Sequence, residues 1–297
     1  MTVVNFEKQY RYTGKQKLGL TALATGPDEK YNDEKVIKAQ IAKNIKQLTE
    51  LQGKLYAQDR YGVLIVFQAM DAAGKDSMIA HIMSGVNPQG CEVTSFKQPT
   101  SKEIAHDYLW RIHEQVPKRG MIGIFNRSYY EDVLVSRVHP DIIVNEHVGH
   151  IETADQVNDA FFNRRFKDMR YFEDYLQDNG YLVLKFFLHM SKAEQKQRFI
   201  RRIELPSHNW KFSAADIRER KYWDDYQRVY DDAITNTATK TTPWYVIPSD
   251  SKWYSRLCVS EIINRRLSEL PLAYPSLDAA NQAQLKTALD QLDRETD

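Results

Sequence analysis

The residues most able to do chemistry lie in the segment 63–76, which has the pattern of a loop that binds phosphate. Its first five residues are apolar and predict a buried strand, and a predicted helix begins near Gly74 and Lys75. In such a loop successive backbone N–H groups point toward one position, and the lysine neutralises phosphate charge. The sequence therefore predicts a phosphate site, whose expected contacts are Ala72, Ala73, Gly74, Lys75 and Asp76.

This loop departs from the common pattern G-x-x-x-x-G-K-S/T at two positions. Ala69 replaces the first glycine, and Asp76 replaces the Ser or Thr that binds magnesium. A carboxylate beside phosphates is repelled unless a cation lies between them, so we expect Asp71 to hold Mg2+, with Mn2+ as a second candidate ion. Helix capping is the alternative role for Asp71 and Asp76. An ordinary strand–helix turn is the alternative for the whole loop.

A second group of polar residues follows the predicted strand 121–125 and contains Asn126, Arg127, Glu131 and Asp132. In many phosphate-loop enzymes the equivalent strand ends in an Asp that holds magnesium. An amide is a weaker ligand, so we expect the metal to rely on Asp71, with Asn126, Glu131 and Asp132 as further candidate ligands. We expect Arg127 to point at phosphate, and a surface ion pair with Glu131 or Asp132 is the alternative.

The span 196–221 is strongly basic, with eight Lys and Arg residues against three acidic ones, a local charge of +5. Arg198 and Arg202 lie on a predicted helix that is broken at 205–209, and a second helix is predicted from Ser213. This pattern predicts a hinged helical lid that brings arginines onto a phosphate and excludes water. A solvated charged face is the alternative.

Short apolar runs that alternate with helical stretches define the elements that must position these residues. Strands are predicted near 62–67, 91–96, 121–125, 181–188 and 244–247. The alternation predicts an α/β fold with a doubly wound, five-stranded parallel sheet and a site at the carboxyl ends of its strands.

The remaining segments flank this sheet. Apolar residues at helical spacing predict a long amphipathic helix over 33–58, which packs on its own core or contacts another subunit. We expect an extended arm over 1–32, a single domain over 33–270 and a peripheral C-terminal segment over 271–297.

Composition narrows the class of protein. The chain has 297 residues and a net charge of +1, which gives no reason to expect nucleic acid as a partner. No apolar run approaches the roughly 18 residues of a spanning helix, so no membrane contact is expected. Cys91 and Cys258 are isolated, which favours small apolar packing roles in a reducing compartment, and we expect a cytoplasmic protein.

Several motifs, taken in order along the chain, resemble those of polyphosphate kinase family 2. They are the segments 71–76, 84–90, 126–130, 210–213, 243–245 and 252–254, within a match that runs from about 30 to 270. The resemblance implies a P-loop, thymidylate-kinase-like fold. It also implies reversible transfer of phosphoryl groups between inorganic polyphosphate and nucleotides with Mg2+.

Two positions place the chain within that family. Members with Asp at position 126 and Asn at position 131 resemble the nucleoside diphosphate class, whereas this chain has Asn126 and Glu131. It is similar to the class that accepts nucleoside mono- and diphosphates, which implies a route from AMP to ADP to ATP. The implied partners are polyphosphate and nucleoside mono-, di- and triphosphates, and we expect a homo-oligomer.

We hypothesise the following roles for individual residues. The nucleotide is expected beside Asn126 and Glu131, and Asp71 is expected to hold Mg2+. Polyphosphate is expected along Lys75, Arg127, Arg198 and Arg202. The expected catalytic residues are Asp71, Lys75, Arg127, Glu131 and Arg202. Direct in-line transfer needs no covalent intermediate.

Two other functions stay open. An ATP-dependent small-molecule kinase could use the same fold, although the absence of Ser or Thr after Lys75 counts against its usual form. A non-catalytic polyanion-binding protein could use the basic lid. A carboxylate such as Asp71 inside the loop counts against it, because a pure binder gains nothing from a negative charge there.

Overall fold

A parallel sheet with helices on both faces forms the centre of the fold. The computed structural model describes residues 5–28, 30–31, 33–149 and 151–295. Its strands are β1 (Arg11–Tyr12), β2 (Gly62–Ala69), β3 (Cys91–Ser95), β4 (Ile122–Asn126), β5 (Tyr181–His189) and β6 (Trp244–Pro248). Its helices are α1 (Phe6–Tyr10), α2 (Glu34–Gln58), α3 (Lys75–Ile82), α4 (Ser101–Ile104), α5 (Trp110–His113), α6 (Glu131–Val138), α7 (Asp141–Asn145), α8 (Asp159–Asp178), α9 (Lys192–Glu204), α10 (Ala214–Glu219), α11 (Trp223–Thr237), α12 (Lys252–Ser268) and α13 (Ala279–Leu292).

The strand order is β1-β6-β5-β2-β4-β3, and all neighbouring pairs except β1 with β6 are parallel. The five predicted parallel strands are confirmed to within two residues at each end. Every residue of β2 is buried, because a central parallel strand is covered by helices on both faces. The carboxyl ends of β2 and β4 lie side by side, with Phe67 opposite Asn126. The loops that carry the predicted site residues therefore leave the sheet at the same edge.

The predicted amphipathic helix is α2, and Asp33 is its N-cap, accepting hydrogen bonds from the backbone N–H groups of Lys35 and Val36. Its apolar face packs against α12 on one side of the sheet, with Ile41 and Leu48 buried. The apolar face of α2 is therefore buried against the core of its own chain.

The N-terminal arm differs from the expected extended segment. Its described part contains α1 and the edge strand β1, which pairs antiparallel with β6. Phe6 is only 2% exposed and packs edge-on against Tyr254 of α12, with ring centroids 5.9 Å apart. The arm is held because this aromatic contact removes apolar surface from water. Residues 1–4, 29 and 32 of the arm lie outside the described residues.

The basic span forms two helices around a bend, as expected. Helix α9 ends at Glu204, a 3-10 turn covers Pro206–Lys211, and Ser213 caps α10 through the backbone N–H of Ala215. We call the segment 196–221 the lid. The C-terminal helix α13 is peripheral, with all of its residues exposed, and 296–297 lie outside the described residues.

No helix in the described part of the chain is long and apolar enough to cross a membrane.

Candidate active site

The loop between β2 and α3 has the backbone geometry of a phosphate-binding loop. Ala72 and Gly74 both have positive φ angles, of 64° and 99°, which turn the chain sharply before α3 begins at Lys75. Glycine adopts this conformation without strain, whereas a Cβ at Gly74 would lie 3.2 Å from the Ser77 hydroxyl. The amino end of α3 therefore points into the space above the loop, where its partial positive charge favours an anion.

Lys75 folds back over this loop. Its Nζ donates a hydrogen bond to the Ala69 carbonyl at 2.8 Å. Burial lowers the pKa of Lys75, and the neighbouring charge of Arg127 lowers it further, against the opposing effect of Asp71. A second anion beside Lys75 would counter both effects, so the ammonium is well placed to receive phosphate.

Arg127 and Asp71 form an ion pair above the loop, with Arg127 Nη2 3.2 Å from Asp71 Oδ1. Arg127 has a positive φ of 65°, a conformation that is uncommon outside glycine, and its backbone N–H donates to the Phe67 carbonyl at 3.1 Å. Burial acts against the charge of Arg127, but Glu131 and Asp71 outweigh it and raise the pKa of the guanidinium. The alternative of a surface ion pair of Arg127 with Glu131 or Asp132 is not what the structure shows.

Asp76, the residue that replaces Ser or Thr in the loop pattern, joins three elements. Its Oδ1 accepts a hydrogen bond from Asn126 Nδ2 at 2.8 Å, and its Oδ2 lies 3.0 Å from Lys211 Nζ in the lid. Burial raises the pKa of Asp76, but the contacts with Asn126 and Lys211 outweigh it and hold the pKa below its usual value. The ionised carboxylate therefore ties the lid and the end of β4 to the loop.

Glu131 begins α6 and is partly buried. Burial raises the pKa of this carboxyl, while the charges of Arg127 and Lys75 oppose the shift without cancelling it. Glu131 is therefore electrostatically coupled to the two cations of the loop, although it does not line the cavity that they share.

Arg198 is placed differently from the expected phosphate contact. Its guanidinium is buried, and Nη1 donates to the carbonyls of Ala73 at 2.6 Å and Ala72 at 3.3 Å. Nη2 donates to the carbonyls of Ser249 and Asp250, and Nε donates to a Glu194 carboxylate oxygen at 2.7 Å. Since five donors meet five acceptors, Arg198 holds the phosphate loop against the loop after β6.

These side chains surround one polar cavity of about 550 Å³, which we call the phosphate cavity. The sequence-predicted residues that line it are Asp71, Ala72, Ala73, Gly74, Lys75, Asp76, Asn126, Arg127, Arg198 and Arg202. Arg202 enters from the lid, where its Nη1 lies 3.2 Å from Asp216 Oδ2. An excess of cations around a solvent-accessible cleft fits a polyanionic substrate.

Comparison with known proteins identifies the family of the chain. The sequence model of Polyphosphate kinase 2 matches residues 31–271. The chain belongs to this family. It is a phosphotransferase of the polyphosphate kinase type, and the predicted enzyme class is confirmed.

Relatives match nearly the whole chain. An ADP-polyphosphate phosphotransferase of Rhodopseudomonas palustris is 44% identical over 96% of this chain and 98% of its own length. An AMP/ADP-polyphosphate phosphotransferase of Meiothermus ruber is also 44% identical, over 80% of this chain and 83% of its own length. The crystal structure of polyphosphate kinase 2 from Arthrobacter aurescens superposes with a TM-score of 0.85 at 36% identity, covering 96% of this chain and 97% of the other. The predicted P-loop kinase-like fold is thereby confirmed.

Other residues that line the phosphate cavity of this polyphosphate kinase were not among the predicted site residues. They include Lys97, Arg201, His208, Trp210, Lys211 and Lys252. Lys97 follows β3, and the rule that ligands lie at the carboxyl ends of parallel strands could have identified it. Trp210, Lys211 and Lys252 stand in motifs that carried the family resemblance, without a role assigned to them.

The structure places Asp132 apart from Asp71 and Asn126, so its role as a magnesium ligand stays a prediction. Successive residues of a helix point about 100° apart, so Asp132 faces away from Glu131 and lines a different cavity of about 1060 Å³, the second cavity. Burial raises the pKa of Asp132 to about 7, and Arg165 opposes the shift.

The donors around the phosphate loop fit a magnesium ion that is shared with substrate. Among the described residues no group of three His, Cys, Asp or Glu side chains could hold a metal by itself. The carboxylate of Asp71 lies inside the loop, and Mg2+ is commonly bound by one or two carboxylates together with substrate phosphates. This donor set fits Mg2+ bound with polyphosphate better than a metal held by protein ligands alone.

Proposed function

We propose that the chain transfers phosphoryl groups from inorganic polyphosphate to nucleoside mono- and diphosphates, converting AMP to ADP and ADP to ATP, and that it also catalyses the reverse reactions. The observation that carries this proposal is the convergence of Lys75, Arg127 and the lid residue Arg202 on one cavity above a phosphate-binding loop. One relative is named for ADP and another for AMP and ADP as partners of polyphosphate. Asn126 and Glu131 favour the dual-acceptor class.

Each residue has a role in this reaction. The N–H groups of the loop and Lys75 bind the phosphoryl group that is transferred, and Arg127 stabilises the charge that develops on its oxygens. Arg202 approaches from the lid, which excludes water from the cavity as it closes. Mg2+, when bound beside Asp71, would neutralise charge on the phosphate oxygens.

The acceptor needs little activation, because a phosphate oxygen is already a nucleophile at neutral pH. We propose that Glu131 positions the acceptor indirectly, through the charges of Arg127 and Lys75 to which it is coupled. Asn126 fixes Asp76 at the edge of the loop. The rate enhancement then comes from orientation and charge stabilisation, without a covalent enzyme intermediate.

The variant Lys75→Ala tests these assignments, with Lys196→Ala as a matched control. Lys196 is an exposed lysine on α9 that does not line the phosphate cavity. We expect Lys75→Ala to lower the turnover of AMP with polyphosphate by roughly 10²-fold or more, with the thermal midpoint retained. Turnover within twofold of the wild-type value would contradict the proposed site.

A further inference from the structure

The second cavity lies beside the phosphate cavity and contains polar atoms that the fold leaves unused. It is bounded by α8, by the segment around α4 and α5, and by the first turn of α6. Two buried atoms that belong to its walls, Asp132 Oδ2 and the Tyr108 hydroxyl, have no hydrogen-bond partner among the described residues. Buried polar atoms are costly to leave unpaired, so these two atoms point to a ligand.

Asp132 is held so that one carboxylate oxygen remains available. The residue is 7% exposed. Arg165 Nη1 donates to the backbone carbonyl of Asp132 at 3.0 Å and lies 4.0 Å from its Oδ1, while Arg165 Nη2 lies 2.7 Å from a Glu146 carboxylate oxygen. The arginine therefore fixes the backbone of Asp132 and leaves Oδ2 as a hydrogen-bond acceptor at the cavity wall.

The same cavity has flat walls that suit a planar ring. Tyr108 and Phe161 both line it, and the Arg165 guanidinium lies over both rings, at 4.4 Å and 4.9 Å from their centroids. Aromatic rings and guanidinium planes stack well on a nucleobase. A purine would therefore find stacking surfaces and a carboxylate acceptor in one place.

One hydrogen bond joins the walls of the two cavities. Arg111 lines the second cavity and donates to the carbonyl of Lys97, which lines the phosphate cavity, at 2.8 Å. Helical turns link Ser128 to Glu131 and Tyr129 to Asp132, so a helical rise of about 1.5 Å per residue puts Arg127 and Asp132 roughly 10 Å apart in space. A nucleotide whose phosphate lies at Arg127 can thus place its base near Asp132.

We propose that Asp132 recognises the base of the acceptor nucleotide, with Oδ2 accepting a hydrogen bond from an exocyclic amine. This inference rests on the proposed function, since it assumes a nucleotide acceptor. Adenine offers an amine at position 6, whereas hypoxanthine offers a carbonyl oxygen there, which the carboxylate repels. The site therefore selects AMP over IMP.

Calorimetric binding of AMP and IMP to the full chain tests this selection at pH 8.5, where a carboxyl with a pKa of about 7 is ionised. We expect the wild-type protein to bind AMP about 10- to 100-fold more tightly than IMP, as for a buried charged acceptor that gains or loses its donor. Asp132→Asn, whose amide can donate to a carbonyl, is expected to bring the two affinities within about threefold. Asp141→Asn, an exposed carboxylate at the start of α7, is the matched control and should keep the wild-type ratio.

The outcomes separate this inference from the proposed function. Equal wild-type affinities, or an Asp132→Asn protein that weakens AMP and IMP by the same factor, would overturn the role of Asp132 even if polyphosphate turnover is intact. Turnover failure with a retained AMP preference would overturn the reaction and keep the base contact. If Asp132→Asn does not fold, binding of N6,N6-dimethyl-AMP to the wild-type protein replaces the variant as the test. This ligand lacks the N–H donor and should bind as weakly as IMP. Binding as tight as that of AMP would overturn the inference.

Discussion

Arg198 offers a sharp test of how the phosphate loop is held. If Arg198 acts through its planar fork on four backbone carbonyls, lysine cannot replace it, although the charge is kept. An ammonium group has three donors and cannot reach the carbonyl pairs of both loops at once. At least two carbonyls would lose their donor in Arg198→Lys, and the side chain is only 7% exposed, so water cannot easily replace it.

The expected magnitude follows from those lost contacts. Two buried hydrogen bonds to a charged donor correspond to about 3 kcal/mol of the free energy of unfolding. For a chain of this size we expect the thermal midpoint to fall by roughly 6–12 °C. A displacement of the loop by about 1 Å would also lower kcat/KM for polyphosphate by about 10²-fold.

Thermal unfolding and steady-state kinetics of Arg198→Lys, measured beside Arg201→Lys, provide the assay. Arg201 is exposed and lines the same cavity, so its lysine variant should keep both stability and most of the activity. An Arg198→Lys protein that unfolded at the wild-type temperature and kept activity within twofold would contradict this role of the guanidinium. That result would mean that Arg198 acts as a simple positive charge toward phosphate, as the sequence first suggested.

Three other predictions concern the lid, a buried histidine and a thiol. Lys211→Met removes the contact of the lid with Asp76 and should lower kcat/KM for polyphosphate roughly tenfold. The thermal midpoint should change little, because the pair is partly exposed. The control Lys196→Met should change neither kcat/KM nor the thermal midpoint. Burial lowers the pKa of His189, so the unfolded chain takes up a proton more readily than the folded chain, and the free energy of unfolding should fall as the pH drops below about 6.5. Urea unfolding of His189→Gln should show a smaller loss of this free energy between pH 7 and 5.5. A loss equal to that of the wild-type protein would contradict this origin. Burial raises the pKa of Cys91 to about 12, and burial also raises the pKa of Cys258. A disulfide reagent at pH 8 should therefore find neither cysteine reactive in the folded chain and two reactive thiols after denaturation.

Much of the fold could be predicted because its signals are local. The central strands are apolar runs that helices cover on both faces, and this pattern can be recognised in the sequence of residues 62–69 and 181–189. The phosphate loop could also be recognised from the sequence, because Gly74 and Lys75 lie between a predicted buried strand and a predicted helix. By contrast, the anchoring of Phe6 could not be predicted, because a single aromatic residue in a polar arm has no periodicity and its partner Tyr254 lies far along the chain.

The candidate site was predicted less completely, for a different physical reason. Sequence spacing places Arg198 on a helix face but does not show whether its guanidinium reaches phosphate or the carbonyls of the loop. Likewise, Glu131 and Asp132 are adjacent carboxylates, and only the packing of α8 against α6 shows that Asp132 lines a separate cavity. The direction of a long or helical side chain is set by tertiary contacts that spacing does not contain.

Incubation of the purified wild-type chain with Mg2+ and long-chain polyphosphate tests the proposed reaction. AMP and ADP are offered separately, and the products are followed by chromatography. We expect ADP as the first product from AMP, and ATP from ADP, with no product when polyphosphate is omitted. ATP from ADP but no ADP from AMP would contradict the dual-acceptor assignment based on Asn126 and Glu131. No product from either acceptor would contradict the proposed reaction as a whole.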